Sequence, residues 1–227
     1  MDGGAPPADA TARDPADPFA AARSAVASYY TRKVRRHGAT PAGVDWGSAT
    51  AQELRFALLL GICDFAAPFS LNDVGCGYGA LLTYLARRHA GAAIDYLGCD
   101  LSAAMIRRAA PLAKGSAQAR FVQAGAAPRR ADYAVASGVF NVVPDNAAGC
   151  WEAVVASTLA EIHASVRRGF AVNFLAPAPD RPGLYRTSPE PWAAYCRRSL
   201  GGSVEVRAGY GLNEFTLLVR PGVRPRR

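Results

Sequence analysis

The chain has only three histidines and five cysteines, and neither residue type is arranged as a metal site or a disulfide frame requires. Cys63, Cys76, Cys99, Cys150 and Cys196 are odd in number, form no C-x-x-C pair and lie mostly in apolar runs. This spacing predicts reduced, buried thiols in a cytoplasmic protein, and no metal. The start, Met1-Asp2-Gly3-Gly4, has neither a basic nor an apolar leader region, so no secretory signal is expected. Long apolar runs are also missing. The longest, Phe56 to Phe69, includes Gly61, Asp64 and Pro68 and is too short to span a bilayer, so no membrane partner is expected. No internal repeat is visible. Low complexity is confined to residues 1–17, rich in Ala, Pro, Asp and Gly, which read as a disordered tail.

What is present suits one large domain: 227 residues, half of them hydrophobic. The net charge of +8 is carried mostly by arginine doublets at 87–88, 107–108, 167–168 and 197–198, each placed where a helical pattern ends. Scattered in this way, the charge predicts solvated helix ends and argues against a nucleic-acid partner. The densest basic run, Arg32 to His37, reads as one wet helix face, with Lys33 and His37 left open as anion contacts.

Asp17-Pro18 opens a helix to about Arg36, and Gly38 ends it. A Gly/Pro loop carrying Asp45 and Trp46 follows. Ser48 and the Thr50-x-x-Glu53 box then start a second helix. From Ser70 onward, strand and helix patterns alternate. Strands are expected at 71–74, 94–99, 120–123, 133–136 and 170–174, and helices at 80–89, 102–112, 146–168 and 188–200. Alternation predicts an α/β fold with a mostly parallel sheet covered on both faces. The last two strands, 204–206 and 215–219, have no helix between them and read as an antiparallel pair.

The most informative stretch is Asn72-Asp73-Val74-Gly75-Cys76-Gly77-Tyr78-Gly79-Ala80. Between a strand end and a helix start, alternating glycines let main chain approach a nucleotide-like ligand. A second apolar run ends at Asp100, whose carboxylate can accept from ribose hydroxyls. Read as Gly75-x-Gly77-x-x-Ala80, the loop also matches a dinucleotide fingerprint. Against that reading stand the acidic Asp73, the run Asp100-Leu101-Ser102-x-x-Met105 and the antiparallel end.

These residues resemble the class I S-adenosylmethionine-dependent methyltransferases. D-V-G-C-G-Y-G is similar to that family's first motif, and G-C-D-L-S-x-x-M to its second. The resemblance covers about two-thirds of the chain. It implies a Rossmann-like seven-stranded sheet with an antiparallel last strand, with residues 70–227 as core and residues 18–69 as a helical cap or substrate lid. The implied cofactor is S-adenosylmethionine, held by Asp73, Gly75, Cys76, Gly77, Gly79, Asp100, Leu101, Met105, Ser137 and Gly138. Asp100 would take the ribose, Leu101 and Met105 would flank the adenine, and Ser137-Gly138 would lie beside the methyl-bearing sulfur. The acidic residue that often follows the third strand is absent, the run being Gln123-Ala124-Gly125.

Methyl transfer from a sulfonium is an in-line displacement governed by positioning, and a hydroxyl acceptor additionally benefits from a base. Candidates at the acceptor side are His37, Asn141 and Tyr185 for catalysis, and Tyr29, Tyr30 and Trp46 for substrate contact. A small-molecule acceptor is expected under a lid made by the N-terminal helices and the 176–195 segment. An RNA or protein methyltransferase, a non-catalytic cofactor-binding subunit and a NAD-dependent dehydrogenase remain alternatives. No Asn-Pro-Pro-Tyr or Asp-Pro-Pro-Tyr run is present, which speaks against methylation of a base amino group.

Overall fold

A computed structural model describes residues 17–114, 116–179 and 182–222. The expected tail falls almost wholly outside them. Among the described residues, α1 (Ala20–His37) leads through a 3-10 turn at Pro41–Val44 to α2 (Ala49–Leu60). Then come β1 (Phe69–Val74), α3 (Ala80–Arg88), β2 (Ile94–Asp100), α4 (Ala103–Ala109), β3 (Ala119–Gln123), β4 (Ala131–Ala136) and α5 (Trp151–Ala164). The chain closes with β5 (Val166–Leu175), α6 (Pro189–Arg198), β6 (Gly202–Ala208) and β7 (Glu214–Pro221).

The strands form one sheet in the order β3-β2-β1-β4-β5-β7-β6. β1 pairs in parallel with both β2 and β4, β2 with β3, and β4 with β5, whereas β7 is antiparallel to both β5 and β6. This is the expected sheet with its reversed last strand. The strand order switches direction between β1 and β4, and such a switch opens a crevice at the strands' carboxyl ends.

Period-two alternation sends Leu71, Tyr133, Val135 and Leu218 to one face, where they meet Phe56, Leu59 and Leu60 of α2 and Leu81 and Leu85 of α3. The opposite face sends Ala134, Ala136, Phe170 and Val172 toward Val155 and Leu159 of α5 and Trp192 of α6. α2 is therefore part of the layer covering the sheet. Of residues 18–69, α1 and the 38–47 turn stand over the crevice, and α2 reaches it from the side with Gln52 and Phe56.

Local signals differ from expectation in three places. Ser48 alone caps α2, its Oγ accepting from Ala51 N at 3.1 Å, while Glu53 is turned away to pair with Arg87. The helix expected over 146–168 starts at Trp151 and stops at Ala164, because Ser165 caps it and Val166 enters the sheet beside Ala131. Arg167 and Arg168 thus lie on a strand, with the Arg168 guanidinium 4.9 Å from the centre of the Tyr133 ring. Finally, Cys150 is exposed and Cys63 half-buried, so only three of the five thiols are buried.

Candidate functional site

A cavity enclosing about 1150 Å³ of empty space, its open mouth included, lies at the carboxyl ends of β1, β2 and β4. Its floor is the glycine loop. Gly75 and Gly77 have φ of 72° and 56°, the left-handed region that favours glycine. A Cβ on Gly75 would strike Val139 Cγ1, and one on Gly77 would come within 3.2 Å of Val44 Cγ1. The loop is anchored to β2 at two points. Cys99 O accepts from Gly75 N and Cys76 N at 2.8 and 3.0 Å, and Asp100 Oδ2 accepts from Gly77 N at 2.9 Å. The other Asp100 oxygen accepts from Ser102 N at 2.8 Å, which fixes the start of α4.

Two carboxyl groups face this cavity from within the protein. Burial pushes Asp100 up to about 6 despite its two backbone donors. Burial pushes Asp73 up to about 7, with the nearby Asp100 adding to the rise; Tyr96 OH, 2.6 Å from Asp73 Oδ2, acts in the opposite direction. A cationic ligand would reverse both shifts. The remaining walls are mainly apolar: Val26, Ala27 and Tyr30 of α1, Val44, Phe56, Leu101, Met105, Val139, Phe140, Trp151 and Val154.

Behind Trp46, outside the lining itself, lies an ionic network between α2 and the sheet. Arg55 Nε donates to Glu214 Oε2 at 2.8 Å, Arg55 Nη2 also pairs with Glu214 Oε1, and Asn173 Nδ2 donates to Glu214 Oε2 at 3.0 Å. Asn173 Oδ1 accepts from Gly138 N at 2.7 Å. The guanidinium carbon lies 3.8 Å from the centre of the Trp46 ring, whose edge fills the space a Cβ on Gly138 would take.

Of the expected cofactor residues, Asp73, Gly75, Cys76, Gly77, Asp100, Leu101, Met105, Ser137 and Gly138 all line this cavity, as do Tyr30 and Trp46. Gly79 does not. It caps α3 in the left-handed conformation, tight against Leu112 and Phe121. Gln123 is exposed, its side chain donating to Leu101 O. Tyr29 points to the outer surface, where its hydroxyl donates to Asp45 at 2.8 Å and Lys33 joins the same carboxylate.

The structure does not bring the three catalytic candidates to the cavity. His37 is exposed in the last turn of α1, because it falls on the basic face and Val34 takes the buried one. Asn141 is buried beside Gly138, outside the lining. Tyr185 lines a separate hollow with Asp145, Cys150 and Glu152, its hydroxyl accepting from Trp192 Nε1 at 3.0 Å. Gly183, Leu184 and Tyr185 of the 176–195 segment border that second hollow; none of the segment's described residues lines the first. This follows from its pairing with the 141–143 turn, through Val143 N to Gly183 O and Tyr185 N to Asn141 O.

Sequence reasoning missed Gln52, Phe56, Thr158 and the Arg55–Glu214–Asn173 network. A signal existed for the network: Arg55 sits on the apolar stripe of α2 with Phe56, Leu59 and Leu60.

A family model described as a methyltransferase domain matches residues 72–169. The Mycobacterium tuberculosis (strain ATCC 25618 / H37Rv) protein "Putative methyltransferase Rv1506c" is 45% identical over 163 residues, spanning 70% of this chain and 97% of that protein. Among solved structures, magnesium protoporphyrin IX methyltransferase from Synechocystis PCC 6803, with bound SAH, shares the fold at TM-score 0.58 and 15% identity. That match covers 88% of this chain and 98% of the other. The DhpI–SAH complex matches at TM-score 0.56 and 20% identity, covering 89% and 98%. The [4+2]-cyclase SpnF matches at TM-score 0.61 and 15% identity, covering 77% and 82%.

Proposed function

Because the chain belongs to the class I S-adenosylmethionine-dependent methyltransferases, we propose that it methylates a small molecule inside the cavity at the ends of β1 and β4. The supporting observation is enclosure. α1 and Trp46 roof an apolar chamber that suits a metabolite-sized acceptor better than a polymer strand. No helix among the described residues is long and apolar enough to cross a membrane.

The residues present fit the cofactor. Gly75 and Gly77 leave a cradle that a Cβ would fill, and the buried Asp73 and half-buried Asp100, both raised by their surroundings, suit a ligand carrying positive charge. When bound, S-adenosylmethionine supplies a methyl group on an already activated sulfonium. In this reading Asp100 accepts from the ribose hydroxyls, and Asp73 and the 75–77 backbone hold the amino-acid portion. Leu101 and Met105 flank the adenine. Ser137 and Gly138 lie at the transfer point, and Tyr30 and Trp46 exclude water around it. These contributions are positional, which is where an in-line displacement gains most.

Calorimetric titration with S-adenosylmethionine, S-adenosylhomocysteine and NAD, followed by transfer of labelled methyl to fractionated cell extract, tests the assignment. Label in the low-molecular-weight fraction is expected. Label confined to RNA or protein would refute the small-molecule acceptor.

A further inference from the structure

At the carboxyl ends of its central strands, one sheet face carries a row of polar side chains where hydrophobic ones would ordinarily continue. Strand parity and pairing put Asp73 on β1, Ser137 at the end of β4, Asn173 on β5 and Glu214 on β7 on the face that α2 covers. Arg55 of α2 lies over this row. Both Arg55 and Glu214 are more than nine-tenths buried, at 7% and 5% exposure.

Buried polar atoms in native proteins are nearly always paired, and exceptions call for a reason. Three exceptions gather here. Arg55 Nη1, Ser137 Oγ and Asn141 Oδ1 are all buried without a hydrogen-bond partner. Gly138 connects them: it follows Ser137, its N–H is held by Asn173, and both Asn141 and Trp46 touch its Cα side. Asp73 and Asp100, which line the same cavity, are taken by the cofactor in the proposed reading.

The cavity lining also constrains the acceptor chemically. Among the described residues that line it there is no histidine, lysine or glutamate. Glu214 lies behind the wall, locked by Arg55 and Asn173. The lining tyrosines Tyr30 and Tyr78 are both raised by burial and make poor proton acceptors at neutral pH. With Asp73 and Asp100 taken by the cofactor, a neutral alcohol would find no free base. An acid needs none, since its oxygen is already ionised.

Resting on the methyltransferase reading, we propose that the acceptor is an apolar acid of the carboxylic type. Its ionised oxygen is received beside Gly138 by Arg55 Nη1 and Ser137 Oγ once Trp46 swings off the guanidinium. Asn141, outside the lining while Trp46 is in place, already turns Nδ2 toward Gly138 and adds a third donor. The oxyanion's lone pair forms the new bond to the methyl carbon as the carbon–sulfur bond breaks, and that bond's electrons remain on sulfur. No proton is transferred. A negative and a positive charge disappear together, a change that an apolar chamber favours over water. Trp46 is tethered from outside through its neighbour Asp45, which sits at φ 62° and is gripped by Tyr29 and Lys33.

The test uses the full chain, labelled S-adenosylmethionine and a matched panel of alkyl and aryl carboxylic acids with the alcohols and amines of the same carbon skeletons. Cofactor binding is measured by calorimetry on the same samples. Acids are expected to yield base-labile methyl esters, with a rate that stays flat as pH rises above the acid's own ionisation. Acid probes, but not their alcohols, are expected to perturb the tryptophan fluorescence of the cofactor-free chain, with most of the change lost in its Trp46→Phe variant and the rest coming from the lining Trp151.

Because Arg55→Gln alone strands Glu214, the paired variant Arg55→Gln/Glu214→Gln is used. It should bind S-adenosylmethionine as the wild type does while raising the KM for acids by about 30-fold, the loss of a charge-assisted contact. Label on alcohols or amines, no ester from any acid, or an unchanged KM in the paired variant would each overturn the acid acceptor, with the cofactor assignment intact. Failure to bind S-adenosylmethionine would instead overturn the reading beneath it.

Discussion

Asp100 uses both carboxylate oxygens on backbone donors, Gly77 N and Ser102 N, so one side chain sets the glycine loop and the start of α4 together. Each oxygen retains a lone pair for a ligand hydroxyl. Asp100→Ala is expected to weaken S-adenosylmethionine binding by roughly 1–3 kcal/mol, through lost charge-assisted hydrogen bonds and a loosened loop. Unchanged affinity by calorimetry would remove the ribose assignment. Gly75 is constrained differently. An alanine there meets both a left-handed backbone and Val139, a combination expected to cost about 1–2 kcal/mol from the backbone alone. Trimming the obstructing side chain with Val139→Ala should restore part of the cofactor affinity that Gly75→Ala loses. No recovery in the double variant would mean the contact with Val139 is not what the methyl group violates.

The element that ties the two halves of the site together is α2, through the Arg55–Glu214 pair across to β7. Removing one partner of a buried ion pair leaves an uncompensated charge, so Glu214→Ala is expected to lose about 3–5 kcal/mol in urea denaturation. Replacing both partners by apolar residues of similar volume should recover most of that loss. Equal instability of the single and double variants would show that packing, rather than charge, dominates.

The same pair marks where the sequence stops being legible. Short-range patterns revealed β1, the glycine loop and Asp100, because glycine and a terminal carboxylate act within a few residues of where they stand. Arg55, Asn173 and Glu214 are far apart along the chain and meet only once β5 and β7 pair antiparallel, with Leu175 opposite Glu214. His37 lies away from the cavity for a related reason: proximity in sequence to Trp46 says nothing about which face of α1 turns outward. The end of α5 was hidden because nothing between Glu161 and Arg168 breaks a helix locally; pairing of Val166 with Ala131 decides it.

On the scale of the whole molecule, the buried Asp73 and half-buried Asp100 set cofactor-free stability against cofactor affinity. Both are raised from the ordinary carboxylate value of 3.8, Asp100 to about 6 and Asp73 to about 7. A carboxyl whose folded pKa lies above its unfolded one stabilises the fold fully below about pH 4, and that contribution is lost as pH rises through the folded value. A tenfold change in proton affinity corresponds to about 1.4 kcal/mol, so the cofactor-free chain should lose several kcal/mol between about pH 4 and 8. The surface carboxylates Asp64 and Asp132 are lowered and lose their contribution only at more acid pH, which leaves this window clear.

A ligand bearing a sulfonium and an ammonium favours the ionised carboxylates, so its binding expels protons near pH 6 and tightens as pH rises towards 8. Thermal denaturation should therefore give a cofactor-free Tm that falls from pH 5 to 8, while the gain in Tm on adding S-adenosylmethionine grows over the same range. Asp73→Asn, which cannot ionise, should flatten the first curve and shrink the second. If the cofactor-free Tm rises across that interval, or the variant tracks the wild type, Asp73 is not the group that opposes folding and awaits a cation.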